Sequence, residues 1–227
     1  MLYGHIAVGL ASKPLAPKVK LGYLIFAATA IDFLCGVFLL TGIEGVDAAR
    51  ASYIPWSHGL FMAGVWTVLG FALAFLLSRD WRTGLIIGAL VFSHWVLDFI
   101  SHPMGMGQKL PPDLPLLFGG SPKIGLGLYN SLPAALVTEF GIFIGGVVVY
   151  LLRTRARDKR GRWAFAVLIL FTFLLAVPGA IPNLELVPTL ALILLLPLGN
   201  WVDRHRTLVP SGLSRRKTGA SKVDVVS

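Results

Sequence analysis

The chain has 227 residues, of which 56% are hydrophobic and only 14% charged, with a mean hydropathy of +0.76. A typical soluble domain is about 25% charged, so these proportions exclude a water-soluble globular protein and indicate an integral membrane protein. The net charge is +9, and the single cysteine, Cys35, excludes an intrachain disulfide and argues against a thiolate metal cluster.

The N-terminal stretch MLYGHIAVGL has no basic leader and no small-residue cleavage pattern, so it does not read as a signal peptide. Residues 1–12 are too short to span a bilayer. They read as a short helix lying on or dipping into the membrane, closed by Pro14 and Pro17. A spanning helix needs about 20 mostly apolar residues, and six stretches qualify, near 21–41, 57–77, 84–101, 133–152, 163–181 and 184–201. Pro182 and Asn183 between the last two predict a tight helical hairpin.

The expected fold is therefore an all-α integral membrane protein of about six transmembrane helices plus a short N-terminal helix. Residues 1–202 form one polytopic domain, and 203–227 a basic, disordered cytoplasmic tail. The Gly- and Pro-rich segment 103–132 reads as either a lid over a site or a plain connector. Gly141 and Gly145, spaced as GxxxG, are expected to pack against another helix.

Seventeen of the 20 Lys and Arg fall in one alternating set of inter-span segments, leaving Arg50, Lys109 and Lys123 in the other. The positive-inside rule then places both termini in the cytoplasm. The run Arg153, Arg155, Arg157, Lys159, Arg160, Arg162 anchors on anionic headgroups. No aromatic interleaving supports a nucleic-acid partner. The expected partners are the lipid bilayer and a lipid-like substrate; oligomeric state is left open.

Asp32, Asp98 and Glu139 lie within expected spans, and His5, His58, His94 and His102 lie in or beside apolar segments. An ionisable group at the bilayer centre costs roughly 2.5–3.5 kcal/mol, so these must face one another, water or a cation. SHWVLDFISH puts His94, Asp98 and His102 at i, i+4 and i+8, a stripe about 80° wide. Neighbours at i, i+4 can share one metal ion, as helical His pairs do. His94 and His102, about 12 Å apart along the axis, cannot, so Asp98 pairs with either or bridges two ions. On straight helices, Asp32 and His94 lie at about 18 Å from the cytoplasmic edge, Glu139 at about 21 Å and Asp98 at about 24 Å. His58 and His102 come out at about 30–32 Å, an outer tier. His5 reaches the site only if residues 1–12 dip inward. Ser57, Ser93 and Ser101 stand beside histidines without nucleophile-elbow or triad spacing.

GHIAVG at the N-terminus, Asp32 in AIDFLCG, SHG around His58 and HWVLDFISH together resemble the bacterial membrane-bound metal-dependent hydrolases, the group that includes LexA-binding inner-membrane proteins of the YdjM type. GLGLYNS with Asn130, then Glu139, look like a subgroup, and the likeness runs over roughly residues 1–165. The resemblance implies a bacterial inner-membrane location and His5, Asp32, His58, His94, Asp98 and His102 as the polar set of a metal site. The family's Pro-Asp-x-Asp is reduced here to Ala30-Ile31-Asp32, which removes one acid.

The expected function is a membrane-embedded metal-dependent hydrolase acting on a lipid-borne phosphoester or ester. Its expected ion is zinc, with manganese or iron compatible with the same donors. Asp32, His94 and Asp98 are the first expected ligands, and His102 and His5 complete the set. His58 is expected as an outer ligand or proton carrier and Glu139 as the base or an orienting group. An ion- or proton-coupled transporter is the rival, since intramembrane Asp, Glu and His also line ion pathways. The spans, however, lack paired Gly/Pro-broken helices. A non-catalytic scaffold with a structural metal is the third reading.

Overall fold

The structure is a computed structural model of the chain, describing residues 1–46, 52–103, 106–179 and 186–209. Among the described residues four helices are long and apolar enough to cross a membrane: α2 (Leu21–Thr41), α3 (Leu60–Ser78), α4 (Trp81–Ser101) and α5 (Leu132–Arg153). They follow α1 (Leu2–Ala11) and precede α6 (Lys159–Gly179), α7 (Leu186–Ala191) and α8 (Leu195–Arg204). Among the described residues the protein is thus mostly helical, of the all-α membrane class.

Local chemistry sets the helix ends. Asp80 caps α4 by accepting the Arg82 and Thr83 N–H groups, each at 3.2 Å. The Thr83 hydroxyl, donating to the same carboxylate at 2.7 Å, holds the Asp80 carboxyl below its ordinary pKa. Helix α2 stops at Gly42, whose left-handed backbone (φ 74°) suits glycine. Pro133 sits in the first turn of α5, where its missing N–H costs nothing.

The first four expected spans match α2 to α5 within three residues at each end. Helix α6 covers most of the fifth. In place of a continuous sixth helix, α7 passes through a 3-10 turn (Leu192–Leu194) into α8. Pro188 and Pro197 each remove a backbone donor from this stretch, which favours such breaks. The hairpin expected at Pro182 and Asn183 lies outside the described residues.

Helix α1 is inserted into the bundle rather than laid on it. Its Gly4, His5, Ile6, Ala7, Gly9 and Leu10 are buried against α2 and α5. A Cβ at Gly9 would stand 2.5 Å from the Ile25 Cα of α2, and one at Gly146 would stand 2.5 Å from the Ala7 carbonyl oxygen. These two glycines let three backbones approach. The packing expected of Gly141 and Gly145 is not found: nothing lies within 4 Å of a Cβ built at either, and the close contact belongs to Gly146 instead.

Among the described residues three two-stranded antiparallel ribbons tie the helix ends: β1 (Gly45–Val46) with β2 (Ser52–Tyr53), β3 (Leu114–Pro115) with β4 (Lys123–Ile124), and β5 (Thr154–Ala156) with β6 (Arg206–Leu208). The second lies in the 103–132 segment, whose described part is a folded cap. Leu126 N–H donates to Phe99 O at 2.8 Å, Gly127 N–H to His102 O at 2.9 Å, and Phe61 N–H to Leu116 O at 3.1 Å. The third corrects the start of the expected disordered tail. Residues 203–209 are ordered by β6, by the Lys13–Asp203 ion pair at 2.7 Å and by Arg206, which donates to Thr154 beneath the Tyr150 and Phe165 rings. Residues 210–227 lie outside the described set.

Candidate metal centre

Two consecutive turns of α4 aim His94 and Asp98 into the bundle, as the i, i+4 spacing predicts. Asp32 approaches from the middle of α2. His58 comes from the turns at 54–59 that precede α3, and His5 from the buried α1. His94 and His5 are fully buried, and His58 and Asp98 nearly so. Two overlapping groups could each hold a metal ion, His5 with His94 and Asp98, and Asp32 with His58 and His94; within each, the candidate donor atoms lie within 4.8 Å of one another.

Asp98 stands beside the second group as well. His58 Nε2 is 3.4 Å from Asp32 Oδ1 and 3.4 Å from Asp98 Oδ2; His94 Nε2 is 3.4 Å from Asp32 Oδ1 and 3.1 Å from Asp98 Oδ2. A tetrahedral zinc site with bonds of about 2.0–2.1 Å has donor–donor edges of about 3.3–3.4 Å. The four His–Asp separations, 3.1–3.4 Å, are close to those edges.

The tautomers point the same way. His94 Nδ1 lies 2.9 Å from the Ala28 carbonyl oxygen. A carbonyl only accepts, so Nδ1 carries a proton. His94 Nε2 is buried between two carboxylate oxygens, Asp98 Oδ2 at 3.1 Å and Asp32 Oδ1 at 3.4 Å, without a well-aligned hydrogen bond to either. With Nδ1 donating to Ala28, Nε2 meets the two carboxylates either as the second N–H of an imidazolium or as a lone pair with a cation among them. His58 is similarly turned, with its Nδ1 2.8 Å from Ser57 Oγ.

His5 plays a different part. Its Nε2 lies 3.1 Å from Asp98 Oδ1, the oxygen turned away from His58 and His94, and its ring stacks on that of His94 with centroids 3.6 Å apart. The Met1 amino group is also 3.1 Å from Asp98 Oδ1.

His58 does not occupy the outer tier that straight-helix arithmetic assigns it. It precedes α3, and its turn folds down until Nε2 touches the two aspartates. His102 belongs to neither metal-holding group. Its Nδ1 meets Asp113 Oδ1 of the cap at 2.7 Å, and its ring centroid is 6.2 Å from that of His58. Glu139 also belongs to neither. Its Oε1 accepts the Tyr3 N–H at 3.0 Å and its Oε2 the Tyr129 hydroxyl at 2.6 Å, joining α5 to α1 and to the cap. Ser57 is fully buried with its hydroxyl donating to Glu44 at 2.7 Å, an arrangement that leaves no free nucleophile.

Sequence reasoning missed Glu44, which binds Ser57, and Asp113, which binds His102. Each sits 13 or 11 residues from its partner and lies outside the described helices, where no periodicity marks it. Comparison with protein-family models, curated proteins and solved structures finds no match.

Proposed function

We propose that the protein is a membrane-embedded metal-dependent hydrolase whose ion, zinc first among the candidates, is held by Asp32, His58, His94 and Asp98. The observation that carries this reading is the convergence of the buried His94 and His58 Nε2 atoms on the same two carboxylates, at 3.1–3.4 Å. Two aspartates and two neutral imidazoles around a divalent cation sum to no net charge, which suits a site at membrane depth. The ion would supply Lewis acidity toward a phosphoryl or acyl oxygen and toward the attacking water.

The chain's own residues then have definite tasks. Ala28 and Ser57 hold the two imidazoles with Nε2 inward. His5 fixes Asp98 through its second oxygen, as partners behind a ligand do in metal sites. Asp32, with a side chain 23% exposed against 2% for Asp98 and 0% for His94, is where a substrate meets the group. His102 with Asp113 stands beside His58 as a proton carrier. The substrate class that suits this depth is a lipid-borne phosphoester or ester. In the membrane we read α6 and the α7–α8 stretch as the fifth and sixth spans, both termini being cytoplasmic in a bacterial inner membrane.

A four-donor set also suits a purely structural ion, since catalytic zinc keeps a position open. Elemental analysis of detergent-purified protein beside Asp98→Ala separates these readings. We expect stoichiometric metal in the wild type, its loss in the variant, and metal-dependent hydrolysis of a phosphoester lipid by the wild type alone. Metal without hydrolysis gives the structural reading; wild-type protein that purifies metal-free and gains no thermal stability from zinc, manganese or iron refutes the ligand set.

A further inference from the structure

We propose that Glu44, acting through the Ser57 hydroxyl, decides which nitrogen of His58 carries the proton, and so keeps Nε2 bare toward Asp32 and Asp98. Glu44 is thus a positioning residue of the metal centre, and its importance to metal binding rests on the reading above.

The chain is built to bring these groups together. After the left-handed Gly42, the Ile43 and Glu44 N–H groups both donate to Phe38 O, at 2.9 and 3.2 Å, folding the chain back over the end of α2. In the 54–59 turns, His58 N–H donates to Ile54 O at 3.0 Å, and a Cβ at Gly59 would lie 2.4 Å from Pro55 O. The Glu44 carboxylate meets Ser57 with both oxygens: Oε1 accepts the Ser57 N–H at 2.7 Å and Oε2 accepts the Ser57 Oγ–H at 2.7 Å. Glu44, Ser57 and His58 are all buried, so water does not compete for these bonds.

A hydroxyl has one proton and two lone pairs. With that proton committed to Glu44, Ser57 Oγ can only accept from His58 Nδ1, 2.8 Å away. In the neutral ring His58 Nδ1 must therefore be the protonated nitrogen, and Nε2 the free donor atom 3.4 Å from each aspartate. His94 needs no such help, because the Ala28 carbonyl on its Nδ1 is an acceptor whatever surrounds it. Ser57 alone could serve either tautomer, and Glu44 removes the choice.

Glu44→Gln separates this role from simple loop locking, because it preserves shape and reverses polarity. If the amide NH2 faces Ser57 Oγ, it donates there, the hydroxyl turns toward His58, and the imidazole proton moves to Nε2. If the NH2 faces the Ser57 N–H, two donors oppose each other. A residue that only braced the loop would tolerate the isosteric amide.

The test compares wild type, Glu44→Gln, Ser57→Ala and Ser57→Thr as full-length detergent-purified proteins, each checked for folding by thermal unfolding. Zinc affinity is measured by chelator competition. We expect Glu44→Gln and Ser57→Ala to bind zinc about 10–100-fold more weakly, the usual effect of removing a partner behind a ligand. Ser57→Thr, which keeps the hydroxyl, should restore most of the affinity. Independently of any metal, 15N NMR of neutral His58 in zinc-free protein should find the proton on Nδ1 in the wild type and displaced toward Nε2 in Glu44→Gln. Wild-type protein with the proton on Nε2, or a folded Glu44→Gln with unaltered tautomer and zinc affinity, overturns the relay. Wild-type protein that binds neither zinc, manganese nor iron yet shows the Nδ1 tautomer refutes the hydrolase reading while leaving the relay standing.

Discussion

Three of the histidines near the centre turn Nδ1 toward an acceptor outside it: Ala28 O for His94, Ser57 Oγ for His58 and Asp113 Oδ1 for His102. That repeated choice is more informative than proximity alone, since His–Asp pairs in a core can be simple hydrogen bonds. Glu139 shows the contrast. Both its oxygens are occupied by protein donors, Tyr3 N–H at 3.0 Å and Tyr129 Oη–H at 2.6 Å, and burial, then the Glu139 charge, push the Tyr129 hydroxyl pKa up. Glu139→Gln keeps the size but weakens two charge-assisted bonds worth about 1.5–3 kcal/mol each. We therefore expect a clear drop in thermal stability with metal content unchanged. Metal loss as complete as in Asp98→Ala would instead make Glu139 part of the centre.

Helix α1 decides whether His5 reaches the centre at all, and glycine at two crossings is what lets it in. Gly9→Ala would drive a methyl group to 2.5 Å from the Ile25 Cα, a backbone atom that cannot step aside. We expect this variant to unfold at lower temperature and to lose metal. Gly141→Ala and Gly145→Ala, with open space at both positions, should leave unfolding temperature unchanged or slightly raised, because alanine favours helix by about 1 kcal/mol over glycine. Unfolding in detergent, followed by intrinsic fluorescence, reads all three. The same elements mark how far sequence reasoning reaches. Helices α2 to α5 are legible because a lipid-facing helix must be apolar over a fixed length, and the His94–Asp98 pair is legible because helical spacing is periodic. The insertion of α1 is not, since ten apolar residues read alike on or in a membrane. His58 is misplaced by extrapolating a straight helix through a turn, and GxxxG cannot say which of Gly141, Gly145 and Gly146 faces a neighbour.

At the scale of the molecule, a strong charge asymmetry and a buried polar centre together pose the question of access. Seventeen of the 20 basic residues group on one expected side, so reporter fusions after residue 157 should read cytoplasmic and fusions after residue 120 extracytoplasmic. On the side that the charge asymmetry predicts to be extracytoplasmic, the cap brings Asp113, with a side chain 24% exposed, onto His102, whose ring lies beside His58. On the proposed topology this chain of polar side chains is the expected route from external water to the centre. Imidazole ligands must be neutral to bind an ion, so acid that reaches the centre releases it. In sealed, right-side-out vesicles, lowering only the external pH or adding an impermeant chelator outside should strip the metal and abolish hydrolysis. The same treatments confined to the lumen should act only slowly. Asp113→Ala, which removes the outer polar gate, should change the rate of stripping more than the final metal affinity. Should luminal treatment alone strip the ion, the centre opens to the cytoplasm. His5 on α1 then lies nearer the entrance than His102, and the cap loses its part in access.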